Sequence, residues 1–344
     1  MRKIIEIKDL KVSYHTYAGE VQSVRGVSFD INEGETIAIV GESGCGKSVT
    51  AKTIMGLITT PPGEIKENSE ILLNGKNILK QTEKEWESYR GATCSMIFQD
   101  ALSALNPTMN IGNQITENIT NHFKISKAEA KKEALQMLEM VGIPDPSACL
   151  KKYPHELSGG MRQRVMIAIA LAGKPQVLIA DEPTTALDVT IQAQIIDLMK
   201  DIQKKLGTTI ILITHDLGVV ANIADRIVVM YSGKIMEKGT SDEIFYEHKH
   251  PYTWALLNAA PNLELGHKQQ LMPIEGTPPD LIHPPKGCPF AARCKYCMNI
   301  CADEIPEEYE FEPGHKVSCW LYHPESGYND IDFNVEIEEA ELNE

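Results

Sequence analysis

Short apolar runs and helical repeats alternate along the first 240 residues of the chain. The run Thr36-Ile37-Ala38-Ile39-Val40 has no polar residue after its first position, which is typical of a strand buried on both faces. Apolar or alternating patterns predict further strands at Ile4–Ile7, Val27–Ile31, Ile71–Gly75, Val177–Ala180, Thr209–Thr214 and Ile227–Met230. Helical spacing predicts helices at Lys47 to about Ile58, Val189–Leu206 and Leu217–Ala224. This order predicts an α/β fold with a mostly parallel sheet and helices on both faces.

A helical segment interrupts that alternation from about residue 106 to residue 172. Ser126-Lys127-Ala128-Glu129 has the spacing of a capping box, and apolar Ala134, Leu138 and Val141 follow at helical intervals. A second helix is predicted from about Gly160 to Ala172, ending at Gly173-Lys174-Pro175. We therefore expect an inserted helical subdomain within a domain that covers residues 1–240.

The composition changes after Thr240, where proline, histidine and cysteine become frequent. Prolines in the range 273–289 exclude a helix there, so we expect an ordered extension from residue 241 to residue 324. Residues 325–344 carry eight acidic side chains and no Lys or Arg, which predicts a solvated acidic tail.

Charge and hydropathy exclude two classes of protein. The net charge of -15 argues against a general nucleic-acid binder, which needs a basic surface. No stretch approaches the ~20 apolar residues of a membrane-spanning helix, and the N-terminus has no signal-peptide pattern. We expect a protein that reaches a membrane only by docking onto another subunit.

Gly41-Glu42-Ser43-Gly44-Cys45-Gly46-Lys47-Ser48 matches the P-loop pattern between a predicted buried strand and a predicted helix. Glycines allow consecutive backbone N–H groups to face a phosphate, and the helix N-terminus adds partial positive charge. Lys47 is expected to reach the β- and γ-phosphates, and the Ser48 hydroxyl to ligate Mg²⁺. The motif predicts binding of a nucleoside triphosphate, with contacts from Ser43, Gly44, Cys45, Gly46, Lys47, Ser48 and Val49.

Two adjacent carboxylates, Asp181 and Glu182, follow the apolar run Val177–Ala180. The carboxyl ends of parallel strands are where ligands collect in open α/β sheets. Asp181 is therefore a candidate Mg²⁺ ligand, and Glu182 a candidate base that polarises the attacking water.

Leu157-Ser158-Gly159-Gly160-Met161 resembles the signature motif of the ABC ATPase family, with Met161 in place of the usual glutamine. Ser158, Gly159 and Gly160 would form a second anion site at a helix N-terminus. A single subunit has no use for two such sites on opposite faces. The resemblance implies a head-to-tail dimer in which each signature closes on the ATP of the partner.

Other residues resemble family elements in the same order. Gln99 resembles the glutamine that senses Mg²⁺ and couples to the membrane subunit, and His215 resembles the histidine that contacts the γ-phosphate. Ala186-Leu187-Asp188 resembles the family's D-loop. Tyr14 corresponds to the aromatic residue that stacks on adenine, and Tyr17 lies close by. The resemblance covers residues 4 to 240 and implies catalytic roles for Glu182, His215 and Gln99.

The range 250–261 and Ile274-Glu275-Gly276-Thr277-Pro278-Pro279 resemble the C-terminal extension of oligopeptide and dipeptide importer ATPases, which nickel importers share. The resemblance implies an ATPase on the cytoplasmic side of a membrane, beneath two permease subunits. It also implies a second ATPase subunit, identical or homologous, and an extracellular substrate-binding protein. The substrate, a dipeptide, an oligopeptide or a nickel complex, is left open.

Five of the eight cysteines crowd the C-terminal part of the chain. Four thiolates from one compact segment suit a [4Fe–4S] cluster and equally suit structural Zn²⁺, and free thiols remain a third possibility. The spacing of four of them resembles that of dipeptide-importer ATPases with an iron–sulfur cluster, which leaves Cys297 spare. The implied ligands are Cys288, Cys294, Cys301 and Cys319.

The sequence leaves two alternative functions. ABC ATPases of DNA repair and translation usually carry coiled-coil insertions or tandem ATPase domains, and neither pattern is present in the sequence. An iron–sulfur redox protein or sensor with an accessory ATPase is the second alternative. The transport ATPase is the interpretation preferred over both.

Overall fold

The computed structural model describes residues 2–185, 187–259 and 273–327. Ala186, the first residue of the predicted D-loop, and all but the first three residues of the acidic segment fall outside these ranges. Within them, every helix is too short or too polar to cross a membrane.

Thirteen strands and twelve α-helices make up the described part of the chain. The strands are β1 Lys3–Thr16, β2 Gly19–Asn32, β3 Thr36–Val40, β4 Gly63–Ile65, β5 Glu70–Leu73, β6 Lys76–Asn77, β7 Cys94–Ile97, β8 Val177–Asp181, β9 Thr209–Ile213, β10 Arg226–Tyr231, β11 Lys234–Thr240, β12 Glu308–Glu312 and β13 His315–Ser318. The helices are α1 Lys47–Ile54, α2 Glu83–Tyr89, α3 Ala101–Ala104, α4 Ile111–His122, α5 Lys127–Met140, α6 Pro146–Cys149, α7 Gly159–Leu171, α8 Val189–Leu206, α9 Leu217–Ile223, α10 Ser241–Tyr246, α11 Pro251–Asn258 and α12 Asn299–Asp303.

The main sheet has the strand order β12-β13-β11-β10-β3-β9-β8-β7. Strands β10, β3, β9, β8 and β7 are parallel neighbours, which confirms the predicted mostly parallel sheet. Every residue of β3, β8 and β9 is buried, as expected for strands covered by helices on both faces. Their carboxyl ends therefore meet along one edge of the sheet.

A second, antiparallel sheet contains β2, β1, β5 and β6, with β4 paired to β1. The sequence predicted only the apolar cores of β1 and β2, whereas each strand is 14 residues long. Beyond those cores the two strands carry many polar, half-buried residues, so apolar content alone underestimated their length. Helix α1 likewise ends at Ile54, four residues before the predicted Ile58.

The helical insertion consists of α3 to α7 and packs against α8 and the β8–β9 part of the main sheet. Apolar residues of these elements form one hydrophobic cluster that includes Ile115, Leu138, Val165 and Met199. The predicted capping box at the start of α5 is present, because the Ser126 hydroxyl accepts from the Glu129 N–H and the Glu129 carboxylate accepts from the Ser126 N–H. The local sequence signal here specifies the start of the helix.

The C-terminal extension adds two strands that the sequence did not predict. Strand β13 pairs with β11 at Glu237↔Val317, and β12 continues the sheet beyond it. Tyr252 and Phe290 of the extension share a buried cluster with Tyr231 of β10. The described residues of the extension therefore include side chains and a strand that pack directly onto β10 and β11.

Replacing Ser126 by Ala should lower the free energy of unfolding by about 1 kcal/mol, because one N-terminal N–H of α5 loses its acceptor. Equilibrium urea unfolding of both proteins measures the difference. Thr120→Ala on α4 is the matched control, since the Thr120 hydroxyl bonds only carbonyls of its own helix and its loss should stay within about 0.5 kcal/mol. Equal effects of the two substitutions would contradict the capping assignment.

Candidate functional site

The P-loop leaves the carboxyl end of β3 and enters α1, and its path requires glycine at two positions. Gly41 has φ +144°, and a Cβ there would lie 2.0 Å from the Met230 carbonyl oxygen. Gly46 has φ +102°, and a Cβ there would lie 2.4 Å from the Ser23 carbonyl oxygen. Side chains at either position would push the loop away from the sheet, so the glycines fix its close approach.

Lys47 is buried beneath the loop. Its Nζ donates to the carbonyl oxygens of Gly41 at 2.7 Å and Glu42 at 2.9 Å. Gly46 occupies the N-cap of α1 and supplies no side-chain acceptor to the first turn. The loop therefore combines an ammonium group with N–H groups at a helix N-terminus, which is the chemistry of a phosphate site.

Asp181 lies at the end of β8, directly beside the P-loop. The Ser48 hydroxyl donates to Asp181 Oδ1 at 2.8 Å. Burial raises the pKa of Asp181 above its ordinary value, and the Ser48 hydrogen bond opposes that shift. A hydroxyl and a carboxylate in contact form an oxygen-donor pair that fits Mg²⁺ in kind.

Glu182 is held by three side chains from different elements. Its Oε2 accepts from Gln99 Nε2 at 2.8 Å and from the Thr185 hydroxyl at 2.9 Å. Its Oε1 lies 3.2 Å from His215 Nδ1. Glu182 also has φ +47°, a left-handed backbone that is uncommon for a residue other than glycine. The structure thus brings together Gln99, Glu182 and His215, the three residues to which the family resemblance assigns catalytic roles.

Ser158 begins α7 and caps it, accepting from the Met161 N–H at 3.3 Å. Ser158, Gly159 and Gly160 line a cavity of about 450 Å³, together with Leu187, Asp188 and Ile191. None of residues 41–48, all of which are described, lines this cavity. Within one chain the signature and the P-loop therefore occupy separate surfaces.

The two tyrosines near the first hairpin differ in exposure. Tyr14 is partly buried, packs against the cluster around β1 and approaches Gly63, and burial raises its pKa. The Tyr17 side chain is fully exposed at the turn between β1 and β2. Tyr14 is thus fixed in position, whereas Tyr17 is not.

The extension gathers its cysteines into one region. Cys288, Cys301 and Cys319 are buried, Cys294 is partly buried and Cys297 is exposed. The Cys288 N–H donates to the Cys301 carbonyl at 2.8 Å. Burial raises the pKa of Cys288 to about 11 and that of Cys294 to about 12, and neighbouring cysteines contribute to both shifts. Among the described residues, no three or more His, Cys, Asp or Glu side chains are arranged to hold a metal ion.

Sequence reasoning missed three side chains at the site. Thr185, three positions after Glu182, orients that carboxylate through its hydroxyl. Arg293 and Tyr252 of the extension both contact Glu42 of the P-loop. The hydroxyl-rich run after Glu182 was a local signal for Thr185, but no local pattern links Arg293 or Tyr252 to Glu42.

Replacing Asp181 by Asn should stabilise the protein at pH 7 in the absence of nucleotide and Mg²⁺. The pKa of Asp181 is higher in the folded than in the unfolded chain, so the charged form present at pH 7 opposes folding. In the unmodified protein this penalty grows as the pH rises from below the ordinary aspartate pKa through the folded value, and it is then constant. Urea unfolding between pH 4 and pH 8 should show that the variant lacks this dependence.

Asp197→Asn on the exposed face of α8 is the control, with an expected change within about 0.5 kcal/mol at pH 7. A less stable Asp181→Asn protein would show that the carboxylate is a net stabilising group, contrary to this interpretation.

Comparison with known proteins agrees with this geometry. Residues 24–185 match the family described as ABC transporter, and residues 236–301 match the family described as oligopeptide/dipeptide transporter, C-terminal region. The oligopeptide transport ATP-binding protein OppD of Bacillus subtilis (strain 168) is 57% identical over 94% of this chain and 90% of its own length. The dipeptide transport ATP-binding protein DppD of the same organism is 56% identical over 93% and 95%.

Solved structures share the ATPase fold. The dimeric post-hydrolysis structure of the ATP-binding cassette MJ0796, bound to ADP and phosphate, has a TM-score of 0.62 and 27% identity. The match covers 69% of this chain and 98% of that cassette. The relatives match both the ATPase domain and the extension, and the chain belongs to the family of ATP-binding subunits of oligopeptide and dipeptide ABC transporters.

Proposed function

We propose that this chain is the ATP-hydrolysing subunit of a transporter that imports dipeptides or oligopeptides. The observation that carries the proposal is the contact between Ser48 of the P-loop and Asp181 at the end of β8. This hydrogen bond brings the P-loop, the Asp181 carboxylate and the adjacent Glu182 to one edge of the sheet. The names of the relatives, which describe peptide transport, supply the substrate class.

The P-loop is proposed to hold the triphosphate of ATP. Ser43, Gly44, Cys45, Gly46 and Val49 would contribute backbone groups, and Lys47 would exchange its bonds to Gly41 and Glu42 for the β- and γ-phosphates. Tyr14 would stack on the adenine. We assign these roles to a nucleotide-binding domain of residues 1–240, followed by an extension at 241–324 and an acidic tail at 325–344.

Ser48, Asp181 and Gln99 are proposed to hold Mg²⁺ with the nucleotide. When bound, this ion would neutralise the charge that develops between the β- and γ-phosphates. Ser48 and Asp181 already contact each other, while Gln99 donates to Glu182 and would have to turn. Gln99, like Lys47, would therefore change its partner on nucleotide binding.

Glu182 is proposed as the general base that polarises the attacking water. Its carboxylate is positioned by Thr185, Gln99 and His215, and a turn of Gln99 or His215 toward the nucleotide would leave more of it free to bind the water. His215 is exposed and lies at the end of β9, so it can turn to the γ-phosphate. This exchange would link nucleotide arrival to activation of the base.

The second anion site, Ser158, Gly159 and Gly160, is proposed to close on ATP bound by a partner subunit. The separate positions of the two sites in one chain support a head-to-tail dimer with a second copy or a homologous ATPase. The phosphates would bridge two subunits, so ATP closes the dimer, and hydrolysis with phosphate release reopens it.

We propose that two transmembrane permease subunits respond to the closing and reopening of this dimer. An extracellular substrate-binding protein would supply the peptide. The chain would lie peripherally on the cytoplasmic side of the membrane. No role in binding nucleic acid is proposed, since the chain carries a net charge of -15.

Replacing Glu182 by Gln should lower the steady-state ATPase rate by about 10²-fold or more, while ATP binding is retained. The amide keeps the shape and two of the contacts of the carboxylate but cannot accept a proton from water. Turnover is measured with the purified transporter, and binding with a fluorescent ATP analogue.

The matched control is Glu139→Gln, an exposed carboxylate at the end of α5, which should turn over at the normal rate. Near-normal turnover by the Glu182 variant would refute the assignment of the base.

We also propose that Cys288, Cys294, Cys301 and Cys319 bind a [4Fe–4S] cluster, with Zn²⁺ as the alternative. The donors fit such a group in kind, and Cys288, Cys294 and Cys301 pack in one buried cluster. The described side chains do not form a ready ligand set, so they would have to turn toward a common centre. A bound group would tie together loops that bury little core.

Protein purified without oxygen should show a broad visible absorption band and about four irons per chain if the cluster is present. Cys301→Ser should lose both, and Cys297→Ser, which removes the spare exposed thiol, should keep both. One zinc per chain without a visible band would favour the alternative. Neither metal in freshly prepared protein would refute metal binding here.

A further inference from the structure

The second residue of the P-loop, Glu42, is held by the C-terminal extension at two points. Arg293 Nη1 donates to Glu42 Oε2 at 2.6 Å, and Arg293 Nη2 donates to Glu42 Oε1 at 3.0 Å. The Glu42 N–H donates to the Tyr252 hydroxyl at 3.0 Å. Since Lys47 binds the Glu42 carbonyl oxygen, the main chain and the side chain of this one residue are both fixed.

All five N–H groups of the Arg293 guanidinium have acceptors. Besides Glu42, Nη1 donates to the Tyr231 hydroxyl at 3.0 Å, Nη2 to the Ile274 carbonyl at 3.0 Å and Nε to the Glu275 carbonyl at 2.8 Å. The Arg293 side chain is only 5% exposed. A buried, fully bonded guanidinium with a bidentate carboxylate is a rigid contact, because any displacement leaves donors unpaired.

The residues around Arg293 connect this contact to the cysteine segment. Arg293 precedes Cys294 directly, in a 3₁₀ turn that starts at Ala291, and Phe290 packs at 5.4 Å against the Tyr231 ring. Arg293 also binds the carbonyl groups of Ile274 and Glu275. The segment that follows, Pro278–Leu281, lines a cavity of about 300 Å³ together with Glu42 and Ser43. The extension thus forms one wall behind the P-loop.

The charge on Glu42 makes this contact relevant to ATP. A carboxylate within a loop that binds a triphosphate would repel the ligand unless a cation neutralises it. Arg293 supplies that cation from a segment outside all the ATPase motifs, 251 positions away in sequence. Without Arg293 the P-loop would keep a partly buried, uncompensated negative charge.

We propose that Arg293 is a positioning residue for the P-loop, through which the cysteine-rich extension sets the affinity of the subunit for ATP. The proposal rests on the proposed role of residues 41–48 as the phosphate cradle. It assigns to the extension an effect on nucleotide binding, and it assigns no catalytic group to it.

Arg293→Met in the full-length chain should raise the dissociation constant for a fluorescent ATP analogue with Mg²⁺ by about tenfold or more, because the loop shifts and Glu42 is left unpaired. In the assembled transporter the KM for ATP should rise similarly, with kcat changed by less than about twofold. Arg293→Lys should remain impaired, since one ammonium group cannot replace a bidentate fork.

Glu42→Gln should weaken binding less than Arg293→Met, because it removes the repelling charge together with the contact. The double variant Glu42→Gln with Arg293→Met should therefore bind several-fold more tightly than Arg293→Met alone. This recovery of ATP affinity in the double variant is the decisive readout. If Arg293 had a merely structural role, loss of a second contact would not restore affinity. Should Arg293→Met fail to fold, Arg293→Lys with and without Glu42→Gln provides the same comparison.

The matched control is Glu308→Gln, which breaks the 2.6 Å ion pair between Glu308 of the extension and Lys238 of β11 without touching the P-loop. Its ATP affinity should stay within about twofold of the unmodified protein. The proposal is overturned if Arg293→Met binds ATP normally, if the double variant binds no better, or if affinity in all variants, including Glu308→Gln, follows the thermal unfolding midpoint.

Lys47→Ala separates this proposal from the function on which it rests. Loss of ATP binding in Lys47→Ala, together with normal binding in Arg293→Met, would overturn the positioning role and leave the phosphate cradle intact. Normal ATP binding by Lys47→Ala would refute the cradle itself.

Discussion

The hydrogen bond between Ser48 and Asp181 is the contact on which the arrangement of the site depends. It joins the first turn of α1 to the end of β8, two elements that are separated by 133 positions in sequence. Because β3, β9 and β8 are parallel neighbours, their carboxyl ends deliver the P-loop, His215 and the pair Asp181 and Glu182 to one edge. The register of three buried strands therefore determines which polar groups can meet a nucleotide.

The sequence predicted this edge well because its signals are local. Strands β3 and β8 are apolar except for Thr36 at the start of β3 and Asp181 at the end of β8. The functional residues lie at or directly after the end of each apolar run, so assigning the strand also places them. The glycines of the P-loop have an equally local reason, since Gly41 and Gly46 lie where a Cβ would collide with neighbouring backbone. The partners of Glu182 required the structure, because Gln99 and His215 reach it from other strands.

Long-range pairing set the limit of prediction. The polar, half-buried ends of β1 and β2 form strands because each pairs with the other along its length, which no apolar count shows. Strand β13 forms because it pairs with β11 at Glu237↔Val317, and β12 pairs in turn with β13. For the same reason the sequence identified the cysteines of the extension as chemically notable but could not show that Arg293, beside one of them, reaches the P-loop.

The position of Glu42 in the P-loop explains why an ATP-hydrolysing subunit would need the contact with Arg293. The P-loop must curve tightly around a triphosphate, and its glycines give it freedom to collapse or to open. Lys47 binds two carbonyl groups of the loop, and those are the bonds that phosphates would replace. Arg293 and Tyr252 bind Glu42 from the extension, and their contacts do not depend on Lys47. The extension maintains the shape of the cradle while Lys47 changes partners, which ties ATP affinity to a segment that the ATPase motifs do not include.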